Sequence, residues 1–430
     1  MRNIQKLIAF VFVLLTCSCT TDDLIENPNS QESGITLKSG GSGSNSYLPT
    51  YSQSSLIVQY KSGTTDPQKA GIRAFNGVNN YEVCHCTNKD IELWHFGGSI
   101  NVEPKKRAIK GQIDPESTTG LQEVDYEFVF GYDIESEYIG TAEDLSYIPY
   151  IKSVNLGVTI AVVDTGIAPT LTVFNDGLDP MKILYKSGDT AVAEEESGWD
   201  FVSEDENTFD DDTGKHGSII SSMIVDTLST HAIDFQLLPV KVSGPAGETS
   251  YFNFLCGTLY AMERAEIVNI SMGWYDTGDE PEINTIFENI VAANPTVILV
   301  TSAGNSENDN DGLKHYPSSF PQLNVIAVAS ANEAHSKISQ FSNFGPMSVD
   351  FFAQGEEIPF YETHVEGTSF AAPQVTIEIA NIFNEFGVLS PEVLLDKLKD
   401  NGTDVSGFFL IRGGEARNTL YNKLIIPFDY

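Results

Sequence analysis

From residue 154 onward, short runs that are mostly apolar and do not alternate with polar residues are separated by segments of helical periodicity. The apolar runs lie at 158–163, 237–242, 267–271, 297–300 and 325–329. The helical segments lie at 217–225, 251–263, 283–293, 369–386 and 391–399. Strands that are apolar on both faces and are joined by helices are typical of a parallel sheet covered on both sides. The pattern predicts a doubly wound α/β domain with a mostly parallel sheet over 154–430, and such folds place their sites at the carboxyl ends of strands.

A smaller unit with a different pattern precedes this domain, over 54–130. Strand signals lie at 56–60, 81–86, 91–96 and 124–130, and helix signals at 66–75 and 103–110. Pro67 and Pro104 fall in the first turns of the predicted helices, where a missing N–H costs nothing. The order βαββαβ predicts a small α+β domain of the split, ferredoxin-like kind. Residues 131–153 would then connect the two domains.

Residues 1–19 have the pattern of an export signal. Two basic residues, Arg2 and Lys6, precede an uncharged apolar run at 7–15. A run of this length is too short to span a bilayer and is typical of the apolar part of a signal peptide. The chain is therefore predicted to be exported.

A lipid-attachment site is predicted at the end of this signal. The segment 14–19 resembles a bacterial lipobox, in which Cys17 is the favoured attachment residue and Cys19 is the alternative. An ordinary secretory signal with incidental cysteines also stays open. The polar segment 20–53 that follows contains a run of serine and glycine, which predicts a flexible tether. Together these features predict a lipoprotein of the outer membrane or cell surface.

The charge of the chain excludes one class of partner. It contains 24 Lys and Arg against 60 Asp and Glu, which gives a net charge of −36. A polyanion is repelled by phosphate backbones, so nucleic acid is not expected as a partner. The acidic side chains favour solubility, and their oxygens would also suit calcium.

Three cysteines lie beyond the lipobox pair: Cys84, Cys86 and Cys256. This number does not indicate a disulfide framework. Cys84, His85 and Cys86 are consecutive, and consecutive side chains of a strand face opposite sides of the sheet. They could not converge on one metal ion, so structural packing is expected for this tract.

Asp164 is the first candidate functional residue. It directly follows the apolar run 158–163 and precedes Thr165 and Gly166, so its carboxylate would lie at the end of a buried strand. Asp-Thr-Gly is also the signature of aspartic proteases, which need two such carboxylates. Two further copies begin at Asp212 and Asp276, but neither follows an apolar strand. Turn chemistry explains those copies better, and an aspartic protease is the less favoured alternative.

Three other residues are singled out by their flanks. His216 precedes Gly217, which permits close packing at the start of a predicted helix. Asn305 ends an apolar strand, where an amide can direct its N–H at a developing oxyanion. Ser369 begins a long apolar helix, whose dipole favours negative charge. Each has an ordinary explanation when taken singly: a surface histidine, a turn asparagine and an N-cap serine.

Together these residues and their flanks resemble the four signature blocks of the subtilisin family of serine proteases, in the same order along the chain. The blocks are 162–167, 216–217, 302–305 and 367–373. The resemblance implies a catalytic triad of Asp164, His216 and Ser369. Asn305 would belong to the oxyanion hole. The implied reaction is hydrolysis of a peptide or protein substrate through an acyl-enzyme on Ser369, which requires no cofactor.

The same resemblance implies the residues of a substrate cleft. They form two segments, one edge-strand glycine and one aromatic residue: Ser271, Met272, Gly273, Ser302, Ala303, Gly304, Gly247 and Tyr251. The two segments would be the walls of the primary specificity pocket. Gly247 would lie on the edge strand that pairs with the substrate backbone. Tyr251 would border the pocket for the fourth residue before the cut.

The smaller domain over 54–130 resembles the propeptides of this family, which assist folding and inhibit the enzyme. This implies that the N-terminal domain is an intramolecular inhibitor and that the connector is cut at about 131–155. Because the lipid lies upstream of this domain, the cut would sever the covalent link to the membrane and release the protease. A permanent accessory domain that is never cut is the alternative.

Two further matters stay open from the sequence. Structural calcium is common in the family, and the acidic segments 204–212 and 305–311 offer oxygen ligands. A catalytically silent surface-binding protein on the same scaffold is the alternative function. All four catalytic positions are filled, which favours the enzyme.

Overall fold

The structure, a computed structural model, describes residues 49–84, 89–98, 100–132, 157–171, 184–185, 197–276, 284–405, 411–412 and 415–428. The predicted signal peptide, both lipobox cysteines, nearly all of the tether and most of the connector lie outside these residues. Within the described part of the chain, no helix is long and apolar enough to cross a membrane.

The N-terminal domain is a four-stranded antiparallel sheet with two helices. Its elements are β1 (Thr50–Tyr60), α1 (Asp66–Asn76), β2 (Asn80–Val83), β3 (Ile91–His95), α2 (Val102–Lys110) and β4 (Leu121–Phe130). The strand order is β2-β3-β1-β4, as the predicted βαββαβ arrangement requires. Helix α1 begins where the side chain of Gln68 accepts the N–H of Thr65 (2.9 Å). It ends at Gly77, whose φ of 67° suits glycine.

The remaining elements follow the predicted alternation of strands and helices, with additional short strands between them. They are β5 (Val158–Asp164), β6 (Trp199–Asp200), α3 (His216–Thr230), β7 (Phe235–Lys241), β8 (Thr249–Ser250), α4 (Tyr251–Met262), β9 (Ile267–Ile270), β10 (Trp274–Asp276), α5 (Thr285–Ala293), β11 (Ile298–Ser302), β12 (Lys314–Tyr316), β13 (Val325–Ala331), β14 (Phe351–Gln354), β15 (Ile358–Phe360), β16 (Thr363–Val365), α6 (Thr368–Phe386), α7 (Pro391–Asn401), β17 (Thr403–Asp404), β18 (Ile411–Arg412), β19 (Glu415–Ala416) and β20 (Lys423–Ile425).

Nine of these strands form the central sheet, in the order β17-β20-β14-β13-β11-β9-β5-β7-β6. All neighbours are parallel except β17 and β20. Side chains of β5 alternate between the two faces: Ile160 and Val162 pack with residues of α3 and α6, and Ala161 and Val163 with residues of α4 and α5. Helices therefore cover both faces, and the predicted α/β fold is confirmed.

The N-terminal domain packs on α4 and α5 through strand β4. The last residues of β4 pair antiparallel with β8, so one sheet runs from the N-terminal domain onto the larger one. Two buried carboxylates of β4 accept hydrogen bonds from helix N-termini. Asp125 accepts from the N–H of Ile286 in α5 (2.7 Å), and Glu127 accepts from the N–H of Phe252 in α4 (3.0 Å). Burial raises the pKa of Asp125 to about 7 and that of Glu127 to about 8.

A disulfide between Cys84 and Cys256 also joins the two domains. The expectation that these cysteines serve only packing, without a disulfide, is wrong. They lie 172 residues apart, after β2 and within α4, so only the tertiary structure brings them together. A cut in the connector, which was expected to sever the covalent link to the membrane, would leave the two domains joined by this disulfide. His85 and Cys86 lie outside the described residues.

Candidate active site

Asp164 and His216 meet at the carboxyl end of the central sheet. Asp164 is the last residue of β5, and His216 is the first residue of α3. The Nδ1–H of His216 donates to Oδ1 of Asp164 at 2.7 Å, and neither residue is accessible to solvent. The close approach depends on Gly217, because a Cβ there would lie 2.5 Å from the carbonyl oxygen of Gly166.

An acidic loop before α3 holds this helix in place. Asp210 accepts hydrogen bonds from the N–H of Ser218 (3.0 Å) and from its hydroxyl (2.6 Å). Oδ2 of Asp212 accepts a hydrogen bond from the backbone N–H of His216, at 3.4 Å from the nitrogen. Burial raises the pKa of Asp210 to about 6. The sequence analysis assigned Asp212 to a turn and the segment 204–212 to candidate calcium ligands, but assigned neither Asp210 nor Asp212 to the helix, although carboxylates before a helix are a known capping signal.

Ser369 is the second residue of α6 and lies beside the same site. Its hydroxyl donates to the carbonyl oxygen of Ser271 (3.0 Å) rather than to the imidazole. The Nε2 atom of His216 is buried and has no hydrogen-bond partner among the described residues. The ring of Phe370, the next residue after Ser369, lies 5.7 Å from the His216 ring. The serine and histidine thus share one site without the hydrogen bond between them.

The side chain of Asn305 is oriented by Thr368. Its Oδ1 accepts both the N–H and the hydroxyl of Thr368, each at 2.8 Å. Because a backbone N–H can only donate, the amide oxygen must face Thr368 and the amide nitrogen the other side. Asn305 and Ser369 line the same cavity. The amide nitrogen of Asn305 is therefore turned away from Thr368.

A cavity of about 390 Å³ opens beside Ser369. Most of the predicted pocket-wall residues line it: Ser271, Met272, Gly273, Ser302 and Gly304. Ala303 does not line the cavity and is fully buried, and its carbonyl oxygen accepts the side-chain amides of Asn310 and Asn343 (both 2.9 Å). The two predicted walls therefore face one cavity, with Ala303 behind one of them.

His315 of β12 lies between these walls, and the sequence did not identify it. A Cβ on Gly273 would lie 2.6 Å from Cε1 of His315, and a Cβ on Gly304 would lie 3.0 Å from Cδ2. The Ser318 hydroxyl donates to the His315 carbonyl (2.9 Å), so it accepts from Nδ1–H of the ring (2.8 Å). Burial lowers the pKa of His315 to about 3. The ring is therefore neutral, with an unprotonated Nε2.

The last residue of β4 and the two residues that follow it occupy the predicted substrate cleft, and we call this segment, 130–132, the β4 extension. Gly131 forms an antiparallel bridge with Gly273 on one side. On the other side, a Cβ on Gly131 would lie 2.9 Å from the carbonyl oxygen of Gly247. The Tyr132 ring stacks on the His216 ring, with centroids 3.9 Å apart and planes within 7°. The β4 extension therefore lies directly over the imidazole.

Aromatic rings surround the start of the β4 extension. The Phe130 ring lies 4.9 Å from Trp274 and 5.3 Å from Phe254, centroid to centroid. Tyr251, predicted to border a substrate pocket, stacks on Phe128 of β4 at 4.4 Å. The predicted substrate-binding surface is thus covered by the chain's own N-terminal domain.

Among the residues that the structure describes, no group of three or more His, Cys, Asp or Glu side chains is arranged to hold a metal ion. Structural calcium at 204–212 or 305–311 stays a prediction.

Sequence comparisons point to one family for the larger domain. The subtilase family profile matches residues 155–413. A subtilisin-like protease of Coccidioides posadasii is 28% identical over 235 residues, which cover 52% of this chain and 52% of that protein. A subtilase-type proteinase of Saccharomyces cerevisiae is 27% identical over 236 residues, which cover 51% of this chain and 44% of that protein. The chain thus spans about half the length of the curated relatives it matches.

A solved structure shares the fold over most of the chain. The epidermin leader peptide processing serine protease of Staphylococcus aureus has a TM-score of 0.54 and 15% sequence identity, covering 86% of this chain and 97% of that chain. The likeness is one of fold alone.

Proposed function

Because this chain belongs to the subtilase family, we propose that it is a serine endopeptidase that hydrolyses peptide bonds through an acyl-enzyme on Ser369. The observation that carries the proposal is the buried Asp164–His216 hydrogen bond, with Nε2 of His216 left without a partner among the described residues. A buried polar atom without a partner costs about 1–3 kcal/mol, so its presence calls for a functional reason. A general base that awaits a proton supplies that reason.

The Asp164–His216 hydrogen bond determines the protonation of the imidazole. With Nδ1–H held by the carboxylate, the neutral ring has its lone pair on Nε2. The proposed step requires the Ser369 hydroxyl to leave the Ser271 carbonyl and to donate to Nε2 instead. Catalytic hydrogen bonds are often absent before substrate binds, so the observed rotamer is compatible with this step. His216 would then take the proton as Ser369 attacks the carbonyl carbon.

The tetrahedral intermediate carries negative charge on the former carbonyl oxygen. The Asn305 amide and the N–H of Ser369, at the start of α6, are the donors proposed to stabilise it. His216 then gives its proton to the leaving amine as the peptide C–N bond breaks. A water molecule next attacks the acyl-enzyme, with His216 taking its proton and returning it to the Ser369 oxygen as the acid product leaves. No metal or organic cofactor is needed for these steps.

A fluorophosphonate probe tests the proposal, because it labels only a serine activated as a nucleophile. The N-terminal domain should first be displaced with dithiothreitol and a low concentration of denaturant. We expect labelling of the wild-type chain and its loss in Ser369→Ala, with Ser336→Ala, at an exposed serine outside the cavity, as a control for non-specific reaction. Absence of labelling would favour the alternative, a catalytically silent protein that binds surface partners on a subtilase scaffold. Inhibition by pepstatin-type compounds would instead favour an aspartic protease.

The N-terminal domain is proposed to be an intramolecular inhibitor of this site. The β4 extension supports this, because Tyr132 covers His216 and Gly131 takes the edge position that a substrate backbone would take. A strand added to an exposed sheet edge is a general mode of peptide recognition. The natural substrate is therefore proposed to be an extended peptide or protein segment.

Export and lipid attachment are proposed from the N-terminal sequence. The apolar run at 7–15 and the lipobox-like segment at 14–19 support an anchor on Cys17, with Cys19 as the alternative. Metabolic labelling with a radioactive fatty acid tests this. Label that is lost in Cys17→Ser but kept in Cys19→Ser would identify the attachment residue, and absence of label from the wild type would reject the anchor.

A further inference from the structure

The disulfide bridges the connector on which processing would act. Cys84 follows β2 in the N-terminal domain, and Cys256 lies in α4 of the catalytic domain. Residues 131–155, where a cut is expected, lie between them in the sequence. A chain that is cut there is still one covalent molecule, because the disulfide joins the two fragments.

The disulfide adds to a non-covalent interface that acts on the same helix. The N-terminus of α4 is capped by Glu127 of the N-terminal domain, and Ser250, directly before α4, pairs with Val129. Cys84 and Cys256 are each only 1% exposed. Both the β4 extension in the cleft and the disulfide are therefore parts of one closed interface.

We propose that the N-terminal domain stays on the mature enzyme as a disulfide-tethered inhibitor and is not a propeptide that leaves after processing. The consequence for the active site rests on the proposed peptidase function, but the tether itself does not. A tethered group has an effective concentration in the millimolar range, so dilution does not remove it from its site. The β4 extension therefore returns to His216 after each opening, whether the connector is intact or has been cut beyond Tyr132.

Release of the inhibitor then needs a thiol–disulfide exchange with an external dithiol. One thiolate of the dithiol attacks a sulfur of the Cys84–Cys256 bond, and a mixed disulfide forms as the other cysteine leaves as a thiolate. The second thiol of the reductant resolves the mixed disulfide. Two electrons and two protons pass from the dithiol to the protein, which gives two cysteine thiols and one oxidised reductant. Because both sulfurs are buried, the exchange proceeds through transient opening of the interface.

The tether can be tested without any activity of the protein itself. In a Ser369→Ala chain, the recognition sequence of a foreign site-specific protease is placed in the middle of the connector and cleaved. In concentrated guanidinium chloride without reductant, we expect one species with the mass of the whole chain. Addition of dithiothreitol should give two fragments. Two fragments without reductant, or alkylated Cys84 and Cys256 in peptide mass maps of the untreated chain, would overturn the proposal.

Two cysteine variants provide matched controls in the same background. Cys84→Ser should separate into two fragments without reductant, and Cys86→Ser, two residues away, should not. If Cys84→Ser does not accumulate as a folded protein, two other results decide whether the disulfide joins the fragments. These are the separation of Cys256→Ser without reductant and the peptide map of the parent.

A second measurement tests the effect on the active site. This measurement uses the chain that keeps Ser369, cut at the same connector site. Its rate of peptide hydrolysis should be about 100-fold lower before dithiothreitol is added than afterwards, because tethering raises the effective concentration of the inhibitor by a factor of this order. Cys84→Ser should be active on dilution alone. Full activity of the cut, oxidised parent would overturn the tethered inhibition. Inactivity of every variant would count against the proposed peptidase function, while the fragment analysis would still decide the tether.

Discussion

At the scale of single residues, the site is defined by what each polar atom bonds to. His216 has one ring nitrogen committed to Asp164 and the other without a partner among the described residues. Asn305 has its amide oxygen committed to Thr368. His216 thus has one ring nitrogen fixed by the fold and one available for the proposed proton transfer, and the contacts with Thr368 fix the orientation of the Asn305 amide.

Removal of the Asn305 amide should reduce turnover and have little effect on substrate binding. Its N–H is proposed to bond an oxyanion that exists only in the transition state, so Asn305→Ala should lower kcat by about 10²–10³ with a small change in KM. This magnitude is the one known for the oxyanion-hole amide of subtilisin, a protein of the same family, and is not a value obtained from this structure. Steady-state kinetics on a peptide substrate measure it.

Asn308→Ala is the control for the Asn305 prediction. Asn308 lies on the same loop, but its amide donates to Asn310 and to the carbonyl of Leu313, away from the cavity. A loss of kcat in Asn308→Ala as large as that in Asn305→Ala would contradict a specific role for the Asn305 amide.

Removal of the His315 imidazole should change the choice of residue before the scissile bond. The ring fills the space between Gly273 and Gly304 and is neutral, so the wild-type pocket should accept small uncharged side chains. His315→Gly makes room for two or three methylene-sized groups of the substrate side chain. Burial of each group contributes about 0.8 kcal/mol to substrate binding. The ratio of kcat/KM for phenylalanine over alanine at this position should therefore rise about 10–50-fold.

The ratio of two substrates does not depend on the fraction of folded enzyme, which protects this measurement from a loss of stability. His364→Gly serves as the control, because His364 is more than half exposed on β16. An unchanged ratio in His315→Gly would contradict the role of the imidazole in this pocket.

At the scale of elements, strand β4 determines how the N-terminal domain meets the catalytic domain. It pairs with β8, caps α4 and α5 with carboxylates, and continues into the cleft as the β4 extension. One strand thus connects the packing of the interface with access to the active site.

Shortening the side chain of Tyr132 should weaken inhibition by the N-terminal domain. Tyr132→Ala loses the ring that stacks on His216, and burial of an aromatic ring contributes about 1.5–3 kcal/mol, or about 10–100-fold in an inhibition constant. The initial rate of peptide hydrolysis by the oxidised full-length chain should rise accordingly. Phe75→Ala, at a ring of α1 that is 79% exposed, should leave the rate unchanged. Equal rates in Tyr132→Ala and the wild type would show that the β4 extension does not inhibit.

The two buried carboxylates of β4 should make the interface weaker as the pH rises. Burial raises the pKa of Asp125 from 3.8 to about 7 and that of Glu127 from 4.5 to about 8. At a pH between the unfolded and the folded pKa of each group, the folded protein therefore binds more protons than the unfolded chain. Its stability falls as the pH rises through this range. The contribution of these groups is fully present below about pH 4 and is lost as the pH passes through about 7 and 8.

Amide substitutions test this pH dependence. Asp125→Asn with Glu127→Gln keeps an oxygen acceptor for each helix N-terminus but cannot ionise. In a Ser369→Ala background, the Tm of this variant minus the Tm of the parent should be larger at alkaline than at acidic pH. The expected increase is at least about 2–4 °C, which corresponds to roughly 1 kcal/mol. A difference in Tm that stays constant with pH would refute the assignment.

At the scale of the whole molecule, the chain is one catalytic domain held to a second domain by a strand, two helix caps and a disulfide. The predicted lipid lies upstream of both domains, so every covalent path from the membrane to Ser369 after a cut passes through Cys84 and Cys256. The position of the disulfide thus decides what a cut in the connector releases.

The processed enzyme should stay with the membrane until it is reduced. In fractionated cells, the fragment that contains Ser369 should pellet with membranes in the absence of a dithiol and move to the soluble fraction when dithiothreitol is added. Replacement of the lipidated cysteine, expected to be Cys17, should place the whole protein in the soluble fraction under both conditions. A soluble Ser369 fragment from the wild type without reductant would contradict this path.

The element order and the candidate chemistry were predictable from the sequence, because both depend on local patterns. Apolar runs such as 158–163 indicate buried strands by themselves, and Asp164, His216 and Ser369 are singled out by residues directly beside them. The structure places Asp164 and His216 in contact and Ser369 at the same site. The boundaries moved by a few residues at most elements, while β1 began six residues earlier than predicted.

Other features were decided only by the tertiary structure. The Cys84–Cys256 disulfide, the position of His315 between Gly273 and Gly304, and the stacking of Tyr132 on His216 all join residues from separate elements. No periodicity or flanking residue carries such information, because each contact depends on how strands and helices pack against one another. The sequence thus determined which residues carry the candidate catalytic chemistry. Packing of the N-terminal domain against the catalytic domain decided what covers that chemistry, since only burial of β4 on α4 and α5 brings its extension to the cleft.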